Sequence, residues 1–449
     1  MNDARDKFIR AISEGLDARN DDSIRNYFVD TRVAQGVRAR RSGSMGLVGL
    51  KGTGKTTLFR ALTQEWFPEP DVVTIPISPT SSAFESANAK ANCLQFEQSV
   101  RRGMAIMLLD RLDGTALHSG NLGSEWLKRR AALLSETGAV GKVLRRFKGF
   151  SVLGCGMQWN AEASDEADFS LSPQDDNRVL EHLRAATSAG INIRVVLDDA
   201  DRLFTRQTKL DVELMSGYVL GTHSLSAKIP GLVFVNILKS HVYEAMKSIE
   251  EIANLPIDYF SHILWTRDEL VEVLDSRMSY AGVGVSDIFE DDKAVCVDLM
   301  IESIRNGPRD LLRYIEIILK ASASAKISKL SIETHRHEFK RKAREQMKTV
   351  YNGIYDGIDA LATTAIGPKL TVGEFHTRFD EARMASEPAS VDYKAPWLSS
   401  GASALRAMLE AGVLDVQVDG RWLRPFDQGY FTFDPDEPTG AIRVNAVFR

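Results

Sequence analysis

One segment of the chain, residues 49–56 with the sequence GLKGTGKT, matches the pattern G-x-x-x-x-G-K-[ST] in full. In this pattern the glycines let backbone N–H groups converge on phosphate oxygens, the lysine reaches the β- and γ-phosphates, and the final hydroxyl holds Mg²⁺. Residues 45–48 read as a short buried strand and residues 57–62 have helical spacing, so the required order of strand, loop and helix is present. The sequence therefore predicts a nucleoside triphosphate site; the alternative is a glycine-rich turn that matches by accident. The residues predicted to contact the nucleotide are Gly49, Leu50, Lys51, Gly52, Thr53, Gly54, Lys55, Thr56 and Thr57.

Length and composition restrict the class of protein further. A chain of 449 residues predicts two to four domains, and 44% hydrophobic with 26% charged residues is ordinary for a soluble globular protein. No apolar run reaches the roughly 18 to 20 residues of a membrane span, and the first residues lack the apolar stretch of a signal peptide. We therefore expect a cytoplasmic protein with no membrane partner. The formal charge of −5 provides no overall attraction to nucleic acid.

Cysteine and histidine positions indicate neither a disulfide framework nor a zinc site. Cys93, Cys155 and Cys296 lie far apart and form no C-x-x-C pair, so we expect buried thiols. His335 and His337 are two positions apart in a predicted charged helix over 331–350, which places them on different faces.

A second motif follows a predicted strand over residues 191–197. This run is rich in β-branched residues and ends in Asp198 and Asp199, as expected for a buried strand that delivers carboxylates at the ligand-binding edge of an open sheet. Asp198 is predicted to join the Mg²⁺ shell, and Asp199 to orient the attacking water. The alternative is that the pair merely caps the next helix.

The distance between the two motifs predicts an insertion. Lys55 and Asp198 are 143 positions apart (198 − 55), whereas connections within a compact domain are normally short. We place the insertion at about 80–170, with helices at 93–112 and 122–136. Residues 160–176 contain six carboxylates and no lysine or arginine, which indicates an acidic loop.

Further along, the run Asn306-Gly307-Pro308-Arg309 has the features of a helix boundary. Glycine is suited to end one helix, and proline to begin the next at its first position. Arg309 would then lie at a helix N-terminus, which favours anions, and we expect it to contact the γ-phosphate. The alternative is a surface arginine after an ordinary turn.

The C-terminal residues 355–449 predict helix, loop, helix and then strands. Thr371 and Glu374 form a capping box, residues 402–411 a helix, and residues 413–418 and 421–424 two strands. The Asp419-Gly420 pair between the two strands is a strong hairpin signal.

The phosphate loop, Leu197-Asp198-Asp199, a following strand over 232–238 and Gly307-Pro308-Arg309 occur in an order that resembles AAA+ and STAND ATPases, especially their origin-recognition-like branch. The chain is also similar to a group of poorly characterised bacterial P-loop ATPases in two segments, residues 28–31 (FVDT) and 264–266 (LWT). This resemblance implies an α/β fold in which the parallel sheet core of a P-loop NTPase carries a helical lid and a C-terminal winged-helix domain.

The resemblance also implies a division of the chain and further site residues. The expected parts are an N-terminal helical segment over 1–43, a P-loop ATPase domain over 44–245, a helical lid over 246–325, and a linker helix with a winged-helix-like domain over 326–449. A polar residue beside the acidic strand would sense the γ-phosphate. Asn236 is our candidate, with Lys239 as an alternative; a buried structural amide is equally compatible with Asn236. Arg202, Arg206 and Arg267 are arginine-finger candidates only by proximity to the motifs.

Three functions remain open from the sequence. The expected one is a switch that binds ATP with Mg²⁺, hydrolyses it slowly through Asp199, Lys55, Asn236 and Arg309, and regulates a protein partner or its own assembly. An aspartate where AAA+ motors usually have glutamate favours a slow switch, and the resemblance suggests bacterial signalling or defence. The second is a DNA-binding ATPase in replication, transposition or remodelling, although residues 355–449 carry 14 acidic against 9 basic side chains. The third is a scaffold whose nucleotide is only structural.

Overall fold

The structure, a computed structural model, is described for most of the chain. The described residues are 2–16, 18, 21–64, 66, 69, 72–77, 92–116, 173–188, 192–198, 208–305, 307–321, 325–351, 353–364, 369–385, 391–427 and 429–448. They form two compact units. The first contains residues 1–31, 49–58 and 262–449, and the second contains residues 32–48 and 59–261. The predicted four-part division stays a prediction.

A five-stranded sheet forms the centre of the second unit. Its strands are β1 (Gly43–Gly49), β2 (Val72–Ile77), β3 (Asn192–Leu197), β4 (Leu232–Lys239) and β5 (Phe260–His262), arranged in the order β2-β3-β4-β1-β5. The sheet is parallel, with Ile77 of β2 opposite Leu197 and Leu197 opposite Asn236 of β4. The predicted α/β class and parallel sheet are confirmed. Pro76 lies in β2, the edge strand that its missing N–H indicates.

Seven helices are described in or at the border of this unit. They are α2 (Arg32–Ala39), α3 (Lys55–Thr63), α4 (Cys93–Ala116), α5 (Pro173–Ser188), α6 (Lys209–Lys228), α7 (Ser240–Met246) and α8 (Glu250–Ala253). Helices α4 and α6 approach closely because α6 has glycine at two contact positions. A Cβ on Gly217 would lie 2.3 Å from Phe96 Cβ, and one on Gly221 would lie 2.9 Å from the Glu97 carbonyl oxygen. The apolar faces of the helices bury β3 and β4 almost completely.

Helices dominate the first half of the other unit. They are α1 (Asn2–Glu14), α9 (Arg267–Ala281), α10 (Val285–Ile288), α11 (Lys293–Ile301), α12 (Pro308–Lys320) and α13 (Lys329–Tyr351). Helix α1 buries Phe8 and Ile12 in the same core as α9 and α12. A capping box between Thr266 and Glu269 opens α9, and Pro308 is the first residue of α12. One detail of the expected boundary is wrong: α11 ends at Ile301, before Gly307, because the chain turns through residues 302–305 first.

The C-terminal part of this unit contains three helices and a four-stranded antiparallel sheet. The elements are α14 (Ile358–Thr364), β6 (Leu370–Thr371), α15 (Val372–Met384), α16 (Gly401–Glu410), β7 (Leu414–Val418), β8 (Arg421–Leu423) and β9 (Ala441–Val444), and the sheet order is β6-β9-β7-β8. The capping box at Thr371 and the hairpin are confirmed. Asp419 and Gly420 have φ of 48° and 77°, the left-handed values that a tight hairpin turn requires.

Several sequence predictions lie outside the described residues. They are the helix at 122–136, most of the acidic stretch at 160–176, and the individual residues Cys155, Asp199, Arg202, Arg206 and Asn306. Cys93 and Cys296 are buried free thiols, as expected. Among the described residues, no helix combines the length and the apolar character needed to cross a membrane.

A buried ion pair fixes strand β3 at the end opposite Asp198. The Arg194 guanidinium, 2% exposed, makes two bonds to the Glu69 carboxylate at 2.6 and 3.1 Å and a third to the Arg38 carbonyl oxygen at 3.0 Å. Burial opposes ionisation of Glu69, but Arg194 and Arg41 outweigh it and hold the pKa of Glu69 below its ordinary value. The stabilisation is therefore present above the unfolded-state pKa of Glu69 and is lost as the pH falls through the lowered value.

We expect Glu69→Gln to lower the free energy of unfolding by about 3 kcal/mol, because Arg194 would keep a buried charge without its counter-ion. Chemical denaturation followed by circular dichroism at pH 7 measures this loss. The matched control is Glu338→Gln, whose pairing with Lys342 lies on the exposed face of α13 at 2.8 Å. This control is expected to cost less than about 0.5 kcal/mol. Equal losses in the two variants would contradict the role of the buried pair.

Candidate functional site: a phosphate loop

The loop between β1 and α3 has a backbone that only glycine accepts readily at two positions. Gly52 and Gly54 have φ of 99° and 89°, in the left-handed region. Strand β1 ends at Gly49, and α3 begins at Lys55, where the Leu58 N–H donates to the Gly54 carbonyl oxygen at 2.9 Å. The loop therefore connects a buried strand to the N-terminal end of a helix without an intervening linker. This is the order of elements that the sequence predicts.

Internal contacts hold the loop in a tight turn. The Thr53 hydroxyl, which is buried, donates to the Leu50 carbonyl oxygen at 2.9 Å. A Cβ on Gly49 would lie only 2.5 Å from that hydroxyl oxygen. Gly49 is therefore required by close packing inside the loop as well as by the sequence pattern.

The ammonium group of Lys55 lies over this turn. Its Nζ donates to the carbonyl oxygens of Gly49 at 2.7 Å and of Leu50 at 2.6 Å. The first turn of α3 adds the partial positive charge of a helix N-terminus, and Thr56 and Thr57 on that turn supply hydroxyl groups. Backbone N–H groups, a cation and a helix N-terminus occur together in this loop, a combination suited to an anion with several oxygens, such as a phosphate chain.

Trp265 contacts the outside of the phosphate loop. Its indole N–H donates to the Thr53 carbonyl oxygen at 3.0 Å, and the ring is 8% exposed. The six-membered ring would lie 3.3 Å from a Cβ on Gly54, and the five-membered ring 3.1 Å from a Cβ on Gly307. The sequence places this tryptophan in the LWT segment and predicts no role for it. Nothing in the local pattern reveals the contact, because its partners are 212 and 42 positions away along the chain.

The same indole brings the turn before α12 next to the phosphate loop. Gly307 caps α12 with φ of 80° and ψ of −135°, a conformation that favours glycine. The Asp310 carboxylate accepts the backbone N–H of Arg305 at 3.1 Å and closes this turn. Arg309 is the second residue of α12 and is partly exposed.

Asp198 follows β3 in the sheet unit. It is buried, and its backbone N–H donates to the Ile77 carbonyl oxygen at 3.1 Å, which extends the pairing with β2 by one bond. The strand brings Asp198 to the carboxyl edge of the parallel sheet, where ligands of open α/β sheets bind. Arg267, an arginine-finger candidate only by its proximity to the motifs, is the first residue of α9 and pairs with Asp298 at 2.5 Å.

Asn236 takes part in a fully buried network. Its amide nitrogen donates to the Thr222 hydroxyl on α6 and to the Tyr259 hydroxyl, both at 3.0 Å. Thr222 in turn donates to the Val219 carbonyl oxygen at 2.9 Å. These bonds agree with the structural-amide alternative for Asn236, and its sensing role stays a prediction. Strand β4 continues beyond Asn236 to Lys239 at its carboxyl end.

No family model matches this chain, and no curated protein matches it. Solved structures do. A Walker-type ATPase of Pyrococcus abyssi shares 13% identity over 92% of this chain and 97% of its own, with a TM-score of 0.46. The ORC1 protein of Aeropyrum pernix, solved in complex with DNA, shares 14% identity over 99% and 90%, with a TM-score of 0.36. The ORC2 protein of the same organism, solved with ADPNP and ADP, shares 12% identity over 92% and 88%, with a TM-score of 0.40.

The Asn236 network leads to a stability prediction. Tyr259→Phe removes one of the two acceptors of the Asn236 amide, so we expect the free energy of unfolding to fall by about 1 kcal/mol. Thermal and chemical unfolding of the purified variant measure this loss. Tyr243→Phe is the matched control, because it removes the hydroxyl of another tyrosine in the same unit, one whose ring packs on Phe260 with centroids 4.5 Å apart. A Tyr259→Phe variant as stable as the control would contradict a structural role for the network.

Proposed function

We propose that this protein is an ATP-binding and slowly hydrolysing switch of the P-loop class. The observation that carries the proposal is the phosphate loop itself, in which two glycines with left-handed backbone conformation and the Lys55 ammonium group share one tight turn at the start of α3. Lys55 now bonds to the carbonyl oxygens of the turn. Phosphate oxygens offer stronger, charged acceptors, so nucleotide binding would redirect the ammonium toward the β- and γ-phosphates.

The residues fit ATP together with Mg²⁺. Thr56, on the first turn of α3, and Asp198, after β3, offer the oxygen ligands that Mg²⁺ prefers. The ion, when bound, would neutralise charge that develops on the phosphates. In this proposal Asp199 orients the attacking water and Lys55 stabilises the transferred phosphoryl group. Of the two candidate sensors we favour Lys239 over Asn236, because the amide of Asn236 is already held by Thr222 and Tyr259.

Arg309 can couple the state of the bound nucleotide to the conformation of the helices that follow it. Gly307 and the phosphate loop contact the same edge of the Trp265 ring, on either side of its nitrogen, so the first turn of α12 starts close to the loop. An arginine on that turn can bind the γ-phosphate of ATP and lose this contact once hydrolysis releases it. The helices that follow would then act as a lid. A catalytic aspartate, shorter by one methylene than glutamate, suits slow turnover and therefore a switch.

The C-terminal elements are the proposed output of the switch. The order α14, β6, α15, α16, then the hairpin of β7 and β8, agrees with the winged-helix topology implied by the resemblance. Residues 355–449 carry a net charge of about −5, which favours a protein partner or a second copy of this chain over a polyanion. The one candidate DNA-reading arginine on α16, Arg406, is paired with Asp436 at 2.7 Å.

A DNA-binding ATPase is the second candidate, and one surface favours it. Helix α13 has seven lysines and arginines against three glutamates, and five of its cations line a groove: Arg336, Lys340, Arg341, Arg344 and Lys348. Such a row of cations can follow a phosphate backbone. Several of them are already paired, however, with Arg341 bonded to Glu345 at 2.7 Å and Lys348 to Asp359 at 2.9 Å. DNA would have to displace these carboxylates.

The phosphate-loop lysine provides the first test. Lys55→Ala should reduce kcat/KM for ATP hydrolysis by at least about 100-fold, because a cation aimed at the transferred phosphate is lost. Asp199→Asn should reduce kcat while leaving ATP binding within about two-fold. Phosphate release and titration with a fluorescent ATP analogue measure the two quantities. Lys247→Ala, which removes an exposed lysine paired with Glu244, is the control.

The outcome also separates the switch from a scaffold. A structural nucleotide would remain bound without turnover, and Lys55→Ala would then lower the unfolding temperature rather than remove an activity. Unchanged hydrolysis in Lys55→Ala would overturn the proposed function altogether.

Duplex DNA separates the two candidate functions. For the switch we expect phosphate release to change by less than about two-fold when DNA is added, and binding to be weak at 150 mM salt. A DNA-dependent enzyme would show release stimulated by DNA and abolished in Asp199→Asn. Contact of the five groove cations with phosphates would also give a slope near −4 to −5 in a plot of log affinity against log salt.

A further inference from the structure

Trp265 joins three parts of its unit through one residue. The indole N–H binds the Thr53 carbonyl oxygen, the ring packs against Gly307, and the backbone N–H of Trp265 donates to the Phe426 carbonyl oxygen at 2.9 Å. The phosphate loop, the start of α12 and the C-terminal sheet region therefore meet at a single buried residue, the first two at its side chain and the third at its backbone. The proposed catalytic roles make no use of this residue.

The bond to Thr53 has a specific consequence for phosphate binding. The Thr53 carbonyl and the Gly54 N–H belong to the same planar trans peptide, so they point in opposite directions. The hydrogen bond holds the Thr53 carbonyl oxygen toward the indole of Trp265, and the Gly54 N–H therefore points away from the indole. In a loop of this pattern the glycine N–H groups converge on the phosphates. The indole therefore sets the direction of a phosphate-binding donor that it does not touch.

Two contacts attach the segment around Trp265 to the C-terminal part of the unit: a hydrogen-bonded turn and a stacked pair of rings. Phe426 lies between Arg424 and Asp427, which close the turn through two hydrogen bonds of 2.8 and 2.9 Å. Three residues before Trp265, His262 stacks on Phe431 with ring centroids 3.7 Å apart and planes 12° apart. The segment 262–265 is thus fixed to the C-terminal part of the unit at two points.

Close packing makes this segment a mechanical connection. Buried side chains at interior density cannot shift independently, so a displacement of the loop peptide moves the indole and whatever its backbone holds. A change at Thr53 would reach Phe426 through one residue. The reverse also holds: a partner that displaces the 424–427 turn would change the direction of the Gly54 N–H.

We infer that Trp265 is a positioning residue for the nucleotide phosphates and couples the phosphate loop to the C-terminal turn at residues 424–427. The inference rests on the proposed function, because it assigns the loop to phosphate binding. Trp265 itself touches no phosphate. Its effect is on the affinity for nucleotide and on the response of the C-terminal turn.

Trp265→Phe tests the positioning role, because it keeps an aromatic ring and removes the N–H donor. We expect the affinity for mant-ATP with Mg²⁺ to fall about five- to ten-fold, with KM rising more than kcat falls. Trp422→Phe is the matched control, since Trp422 packs on Arg443 in the β8 hairpin region. The control should stay within two-fold of the wild type. Thermal unfolding confirms that each variant is folded.

Hydrogen exchange tests the coupling with a readout that a merely structural tryptophan would not change. In the wild type, ATP should slow amide exchange in the peptide covering 424–433, and this effect should be lost in Trp265→Phe. Phe431→Ala, which removes the stacking on His262 and leaves the loop untouched, should keep the mant-ATP affinity and weaken the protection. This second variant keeps the coupling testable if Trp265→Phe does not fold.

The possible failures are distinguishable. Wild-type protein that binds no mant-ATP would overturn the proposed function and, with it, this inference. Wild-type binding combined with unchanged affinity in Trp265→Phe would overturn the positioning role alone. Protection of 424–433 that persists in both Trp265→Phe and Phe431→Ala would overturn the coupling.

Discussion

The direction of a few peptide groups between β1 and α3 is the constraint on which the rest of the structure depends. A phosphate chain can be held only if several N–H groups point into one small volume, and an ordinary loop of L-residues does not arrange them so. Gly52 and Gly54 make the backbone path accessible, and Thr53 closes the turn from inside. The strand before the turn and the helix after it must in addition hold the two ends of the loop at a fixed separation. The buried sheet satisfies that requirement for β1.

The sequence was sufficient wherever the deciding interactions are local. The phosphate loop, the capping box at Thr371 and the Asp419-Gly420 hairpin all depend on residues within a few positions of one another. Apolar runs also predicted β1, β3 and β4, because buried parallel strands need unbroken apolar runs. These local signals are enough to predict the parallel sheet.

Contacts between residues far apart along the chain could not be predicted from the sequence. Strands β6 and β9 are short and pair across about 70 positions, so neither carries a pattern strong enough to read alone. The partners of Asn236 lie on α6 and before β5, and alternation along β4 could only leave its role open. Trp265 is the clearest case. Its bond to Thr53 joins residues that no spacing rule relates, and a tryptophan in an apolar stretch normally signals only core packing.

The ion pair of Arg194 with Glu69 also specifies alignment. Side chains alternate along a strand, so residues 194, 196 and 198 share one face of β3. A slip of β3 by a single residue would carry the Arg194 guanidinium to the opposite face, away from Glu69, and Asp198 would change faces with it. An arginine buried at the start of the strand thus excludes the misaligned sheet. The ion pair of Arg194 with Glu69 at one end of β3 therefore determines the face of the sheet on which Asp198 lies at the other end.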